Sequence, residues 1–160
     1  MKKDKKIMTD ADYSGLTLLK KNHKDYPDSP EKAKIETFRN AFPKRDYIIT
    51  FDYPEFTSLC PITGQPDFGH ITINYIAKEK CIESKALKLY LFSYRNHNTF
   101  HEVAVNTILD DLVAACKPKW MQVIGDFMPR GGIAIHVTAE HGKKDETDHC
   151  IFRIDGVYSQ

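Results

Sequence analysis

The stretch "SKALKLYLFSYRNHNTFHEVAVNTILDDLVAACKP", Ser84 to Pro118, decides the fold. Leu87, Tyr90, Leu91 and Tyr94 recur at helical spacing, which predicts a helix from about Ser84 to Tyr94. Asn96-His97-Asn98 interrupts it. Val105, Ile108, Leu109, Leu112 and Cys116 form one stripe of a second helix, from about Phe100 to Cys116. Pro118 ends it, because proline lacks the N–H that a helix interior needs.

On both sides of this pair the period drops to two. Upstream, from Asp46, Tyr47, Ile49, Phe51 and Tyr53 alternate with Ile48, Thr50 and Asp52. From His70 to Ala77, Ile71, Ile73 and Tyr75 alternate with Thr72 and Asn74. Downstream, Met121 to Met128 and Ile133 to Glu140 read as strands joined at Pro129-Arg130-Gly131-Gly132, a hairpin signal. The order is strand, strand, helix, helix, strand, strand. It predicts an α+β domain, an antiparallel sheet with both helices on one face. An open four-stranded sheet leaves two edges, so a ring-like homo-oligomer that pairs them is expected.

Residues 1 to 45 are polar and broken by Pro27, Pro30 and Pro43. They read as an arm laid over a single domain of residues 46–160, with one short helix around Glu31 to Asn40, after Asp28-Ser29-Pro30. The chain has 160 residues and a formal net charge of +1, so no global field draws it to nucleic acid or to an anionic membrane. Lys2, Lys3, Lys5 and Lys6 are interrupted by Asp4 and Asp10 and read as a solvated tail. No apolar run is long enough to span a bilayer, and no secretory h-region is present. Cys60, Cys81, Cys116 and Cys150 are irregularly spaced, without a C-x-x-C pair, and read as reduced thiols of a cytoplasmic protein.

Between the first two strands lies "SLCPITGQPDFG", Ser58 to Gly69. Cys60 is either a small core residue or a working thiol at a strand end among Pro61, Gly64, Pro66 and Gly69. Asp67 is either a turn residue or an acid facing Cys60 across the loop. Thr99 and Glu102 have the spacing of a capping box. A buried carboxylate at that helix start could instead take N–H donors from a purine-like ring, since it offers acceptors only. Glu83-Ser84-Lys85 reads as a helix start with Ser84 as cap, or, with Lys85 and Lys88, as cations for a phosphate. Arg130-Gly131-Gly132 suits a hairpin, or a phosphate met by a guanidinium and unobstructed N–H groups. None of the seven histidines forms a tight ligand pair with a cysteine, and His149-Cys150 alone does not close a site, so metal is not expected.

Three segments together, "FTSLCPITGQPDFG", "IESKALKLYLFSYRNHNTFHE" and "PRGGI", resemble the NADPH-dependent 7-cyano-7-deazaguanine reductases, the nitrile reductases of queuosine biosynthesis, in their single-module form. The resemblance runs in order over about residues 15 to 135 and fades beyond His136. It implies the tunnelling fold, a barrel-like ring of subunits with sites near their interfaces, and a four-electron reduction of a nitrile to a primary amine by two NADPH. By position, it implies that Cys60 attacks the nitrile carbon to give a thioimide and that Asp67 donates the proton. It implies that Ile82, Glu83, Ser84, His101 and Glu102 hold 7-cyano-7-deazaguanine, and that Ser84, Lys85, Arg130 and Gly131 meet NADPH. A zinc-dependent type I GTP cyclohydrolase of the same fold would carry histidines where this chain has Pro61-Ile62-Thr63. A non-catalytic purine-binding module of that fold would need no reactive thiol.

Overall fold

The structure, a computed structural model, describes residues 16–18 and 26–142. The lysine-rich tail, His23, His149 and Cys150 lie outside the described residues. In chain order the elements are β1 (Thr37–Arg39), β2 (Ile48–Leu59), β3 (Pro66–Ile76), β4 (Lys80–Ile82), α1 (Ser84–Phe92), α2 (His101–Cys116), β5 (Trp120–Arg130) and β6 (Ile133–His141). Strands β2-β3-β5-β6 form a four-stranded antiparallel sheet, and β1 pairs with β4 in a separate two-stranded one. No helix among the described residues is long and apolar enough to cross a membrane.

The alternation seen in the sequence sets one face of the sheet toward the helices. Ile71, Ile73 and Tyr75 of β3 stand opposite Gly125, Val123 and Met121 of β5, and all but the glycine are fully buried side chains of the core. Val105, Ile108 and Leu112, the stripe of α2, are buried in the same cluster. Gly125 shows how close the layers come: a Cβ there would meet Val105 Cγ2 at 2.6 Å. The opposite face is polar. It carries Asp52 beside His70, and Asp126 bonded to His136 at 2.7 Å.

Two bulges matter for the site. In β2 the register slips between Tyr53, opposite Ile71, and Phe56, opposite Gly69. Ile71 and Gly69 share a face, so the extra residue puts Tyr53 and Phe56 on that face although they are three apart. Pro54 falls inside this bulge on an edge strand, where a missing N–H is tolerated. In β5 the register slips between Phe127 and Arg130, at Met128-Pro129.

Several sequence expectations are corrected here. Residues 31–40 hold no α-helix: a 3-10 turn at Pro30–Lys32 gives way to β1. Pairing of Thr37–Arg39 with Lys80–Ile82 overrides local propensity. The stretch 58–69 is not a wide loop, because β2 runs to Leu59 and β3 starts at Pro66. The first helix ends at Phe92, and a 3-10 turn continues it from Ser93 to Asn96. At α2 the capping box does not form. Phe100 is the N-cap, it makes no side-chain cap bond, and Thr99 Oγ1 donates to the Phe100 carbonyl instead. At α1 the cap is Glu83 rather than Ser84: its carboxylate accepts from Lys85 N and Ala86 N at 2.9 and 2.8 Å. Pro118 does stop α2, just after Lys117 takes a left-handed φ of 48°.

Candidate active site

Cys60 sits at the mouth of the β2–β3 hairpin. Its N–H donates to the Gln65 carbonyl at 2.8 Å, and its carbonyl accepts from Gly64 N at 2.9 Å. Gly64, at φ +67°, closes the turn. The loop before α2 clamps the same strand end: Leu59 N donates to the His97 carbonyl and Thr99 N to the Leu59 carbonyl. These bonds bring the thiol beside the start of α2.

The turn also sets the chemistry of the thiol. The Thr63 hydroxyl, then the backbone N–H groups of Thr63 and Ile62, lower the Cys60 pKa by stabilising the thiolate. Slight burial and the charge of Asp67 oppose them. The other two described cysteines behave in the opposite way. Burial raises the pKa of Cys81 and pushes that of Cys116 up to about 12.

Asp67 lies on β3, not in a turn, and stands directly opposite Ser58 on β2. Its side chain is only 6% exposed. Arg130 Nε bonds its Oδ1 at 2.8 Å, and the same guanidinium donates to the Pro66 carbonyl. His101 Nε2 stands 3.2 Å from Oδ1. It makes no hydrogen bond there, and the buried Ser58 hydroxyl also lacks a partner among the described residues. The His101 ring is stacked on Phe127, 3.9 Å between centroids. Glu102, next along α2, is exposed.

The chain therefore gathers Cys60, Asp67, His101 and Arg130 at one end of the sheet, with Glu102 and Gly131 adjacent in sequence to members of that group. Ile82, Glu83, Ser84 and Lys85 stand at the other end. Ile82 N donates to the Tyr75 hydroxyl at 3.0 Å, and Tyr75 is eight residues along β3 from Asp67, about 26 Å at strand rise. There, Ile82, Glu83 and Ser84 line a cleft of about 440 Å³ walled by Phe38, Tyr47 and Phe51. Glu83 is buried, and Lys85 Nζ donates to the Leu18 carbonyl at 2.7 Å.

The thiol, the acid and the arginine singled out in the sequence are brought together in the structure. Sequence reasoning missed Thr63, Ser58 and Phe127. The Cys-Pro-x-Thr spacing carries a signal for the first, since a threonine three residues on in a turn can reach back to the sulfur.

The residues expected to meet a nicotinamide cofactor have the character it needs in part. Arg130 is 38% exposed at its side chain. Gly131 and Gly132, both at positive φ, have open space where a Cβ would be. That is an accessible guanidinium beside bare backbone, a fit for phosphate.

Comparison with known proteins decides the family. A family model described as QueF-like protein matches residues 66–146. The chain is 53% identical over 129 residues to a protein of Neisseria gonorrhoeae named NADPH-dependent 7-cyano-7-deazaguanine reductase, covering 81% of this chain and 82% of that one. The chain belongs to the 7-cyano-7-deazaguanine reductase family. Relatives with the same name in Magnetococcus marinus and Streptococcus mutans are 52% and 49% identical, over 93% and 84% of their lengths. In these comparisons 74% and 85% of this chain is covered. The crystal structure of an archaeosine synthase QueF-Like in the apo form has the same fold over 62% of this chain and 95% of its own, with a TM-score of 0.55 and 23% identity. The reductase family inferred from the three sequence segments is thus the family found.

Proposed function

We propose that this protein reduces the nitrile of 7-cyano-7-deazaguanine to the primary amine with NADPH, through a thioimide on Cys60. The observation that carries the reading is the Cys60 turn, which supplies donors to a thiolate and faces a buried acid, Asp67. A nitrile carbon is a weak electrophile, and a thiolate adds to it when the nitrogen is protonated as negative charge develops there. The S–H proton ends on the nitrogen, one C–N π bond becomes the C–S bond, and no electrons change hands. The cofactor supplies the hydrides of the later reduction. Asp67 gives the proton, and the covalent bond to Cys60 retains the partly reduced substrate.

Ile82, Glu83, Ser84, His101 and Glu102 hold the deazaguanine. Ser84, Lys85, Arg130 and Gly131 hold the cofactor. Since these fall at opposite ends of one chain, a complete site joins the Cys60 end of one copy to the Ser84 end of another. Exposed apolar side chains at the Cys60 end, among them Ile62, Phe68, Phe100 and Val103, support such an interface. So do the outer edges of β2 and β6, which no described strand covers. In this reading, residues 46–160 form a tunnelling-fold module of a barrel-like homo-oligomer in the cytoplasm, and residues 1–45 are its arm.

The test is intact mass after mixing the protein with the nitrile alone. An increase equal to the whole substrate is expected for the native chain and none for Cys60→Ala. Absence of any adduct in the native chain, under conditions where the base binds, overturns the mechanism.

A further inference from the structure

A second cleft, of about 420 Å³, opens between the arm and α1. Leu18 and Leu89 supply apolar wall, and Tyr26, Asp28, Lys32 and Lys34 complete its polar side. The volume falls within the roughly 300–1,000 Å³ of small-molecule pockets. One buried carboxylate organises the wall. Glu36 accepts from Thr17 N at 3.1 Å, Leu18 N at 3.2 Å and Lys34 Nζ at 2.9 Å, so it pins Leu18 and the Lys34 ammonium to each other. From the other side, Lys85 Nζ donates to the Leu18 carbonyl at 2.7 Å. Leu89, four residues on along the same helix face, lines the cleft. Lys32 pairs with Asp28 at 3.0 Å, with side chains 68% and 69% exposed, a pair that costs little to open. Tyr26 is exposed and rests against Phe92, with 4.7 Å between ring centroids.

Resting on the function proposed above, we infer that this cleft holds the adenosine end of the cofactor and that Lys32 and Lys34 grip its 2′-phosphate, the group that separates NADPH from NADH. Two points set the direction. Cys60 holds the carbon that is reduced, so the Cys60 end of one copy takes the nicotinamide. Lys85, of the cofactor set, stands at the opposite end of the chain, so the Ser84 end of the neighbouring copy takes the adenosine. That end of NADPH is a flat purine on a ribose that bears a phosphate. The cleft answers each part in kind: an exposed tyrosine ring and two leucines for the base, and clustered ammonium groups for the phosphate. An ammonium has three donors, and the bonds to Glu36 and Thr17 Oγ1 account for two of those on Lys34. Lys32 leaves its exposed pair for a phosphate, which carries up to twice the charge of a carboxylate. Asp28 opposes the phosphate, because its carboxylate competes for Lys32.

The probes are 2′,5′-ADP and 5′-AMP, which differ by the 2′-phosphate alone. Calorimetric titration of the full chain measures both. The native chain should bind 2′,5′-ADP at least about tenfold tighter than 5′-AMP. The double variant Lys32→Gln, Lys34→Gln should lose about tenfold of that ratio. Asp28→Asn removes the competitor and should raise the ratio. Tyr26→Ala should weaken both probes alike, by about fivefold, and leave the ratio as it was. Lys44→Gln with Lys78→Gln removes the same two charges at exposed positions outside the cleft and should leave the ratio unchanged. No preference in the native chain, an unchanged ratio in the Lys32, Lys34 variant, or an equal loss in the Lys44, Lys78 variant overturns the assignment. Lys34→Gln also takes a partner from Glu36. Should the double variant fold poorly, Lys32→Gln alone must lower the ratio by about threefold while Lys34→Arg keeps it, and an unchanged ratio in Lys32→Gln overturns the assignment. The thioimide reading fails separately, when the native chain gives no adduct with the nitrile alone. A lysine-dependent preference for the 2′-phosphate would still uphold the cleft.

Discussion

His101 and Phe127 stack face to face, with 3.9 Å between ring centroids and 18° between planes. The histidine comes from the first turn of α2 and the phenylalanine from β5, so this stack locks the helix start to the sheet beside Asp67. Phe127 has room because its neighbours are small. A Cβ on Gly69 or on Gly125 would come within 2.8 Å of its ring.

Gly125→Ala should therefore destabilise the fold by about 1–3 kcal/mol and slow adduct formation, because the displaced ring carries His101 with it. Val105→Ala in the same chain should restore only part of the stability. It removes the 2.6 Å contact to Val105 Cγ2 but leaves the one to Phe127. Denaturant melts of the two variants check this. Full recovery in the double variant would put the strain at the helix alone.

The Cys60 turn predicts an order of thiol reactivity. Iodoacetamide near neutral pH should label the Cys60 peptide before those of Cys81 and Cys116, whose thiols are held protonated by burial. Thr63→Val removes the hydroxyl that contributes most to lowering the Cys60 pKa. The alkylation profile of Cys60 should then move to higher pH without loss of stability. Peptide mapping across pH measures it, and an unmoved profile would remove Thr63 from the account.

Glu36 predicts an acid transition in the arm. It is buried, and burial alone would raise its pKa. The Thr17 hydroxyl, Lys34 Nζ and the backbone N–H groups of Leu18 and Thr17 outweigh burial and bring it from 4.5 to about 2. A carboxyl lowered on folding contributes stability above its unfolded value and loses it as pH falls through the folded one. Attachment of residues 16–18 should therefore weaken between roughly pH 4.5 and 2. Glu36→Gln should cost about 2 kcal/mol at neutral pH and flatten this dependence. Proteolysis within the first 25 residues, followed across pH, reads it.

The separation of the two clusters predicts complementation. Cys60→Ala disables one end of the chain and Lys85→Glu the other. Each alone should be inactive. Unfolded together and refolded, they should recover a fraction of native activity, because some sites then draw both intact ends from different copies. No recovery in mixed oligomers confirmed by mass would place the whole site within one chain.

The change of period at Ser84 and the alternation around it made the main sheet and both helices legible in the sequence. What escaped has specific causes. β1 and β4 are three residues each, too short for any period to register. The second half of β2 was lost at its bulge, where Tyr53 and Phe56 share a face and the alternation breaks. Cys60 and Asp67 were legible from their motif, but not the hydroxyl of Ser58, whose meaning comes from standing opposite Asp67. Linear order also misled about proximity. Lys85 is nearer to Asp67 in sequence than Arg130 is, yet Arg130 touches Asp67 while Lys85 reaches Leu18 at the far end.

The donors that favour the Cys60 thiolate all come from the next three residues of its own turn. The lowering of the Cys60 pKa is then supplied locally, by the turn of the same chain. Such a thiol is equally ready for peroxide, and oxidation beyond the sulfenic acid is irreversible for most proteins. Reductant during purification should therefore protect this sulfur ahead of those of Cys81 and Cys116.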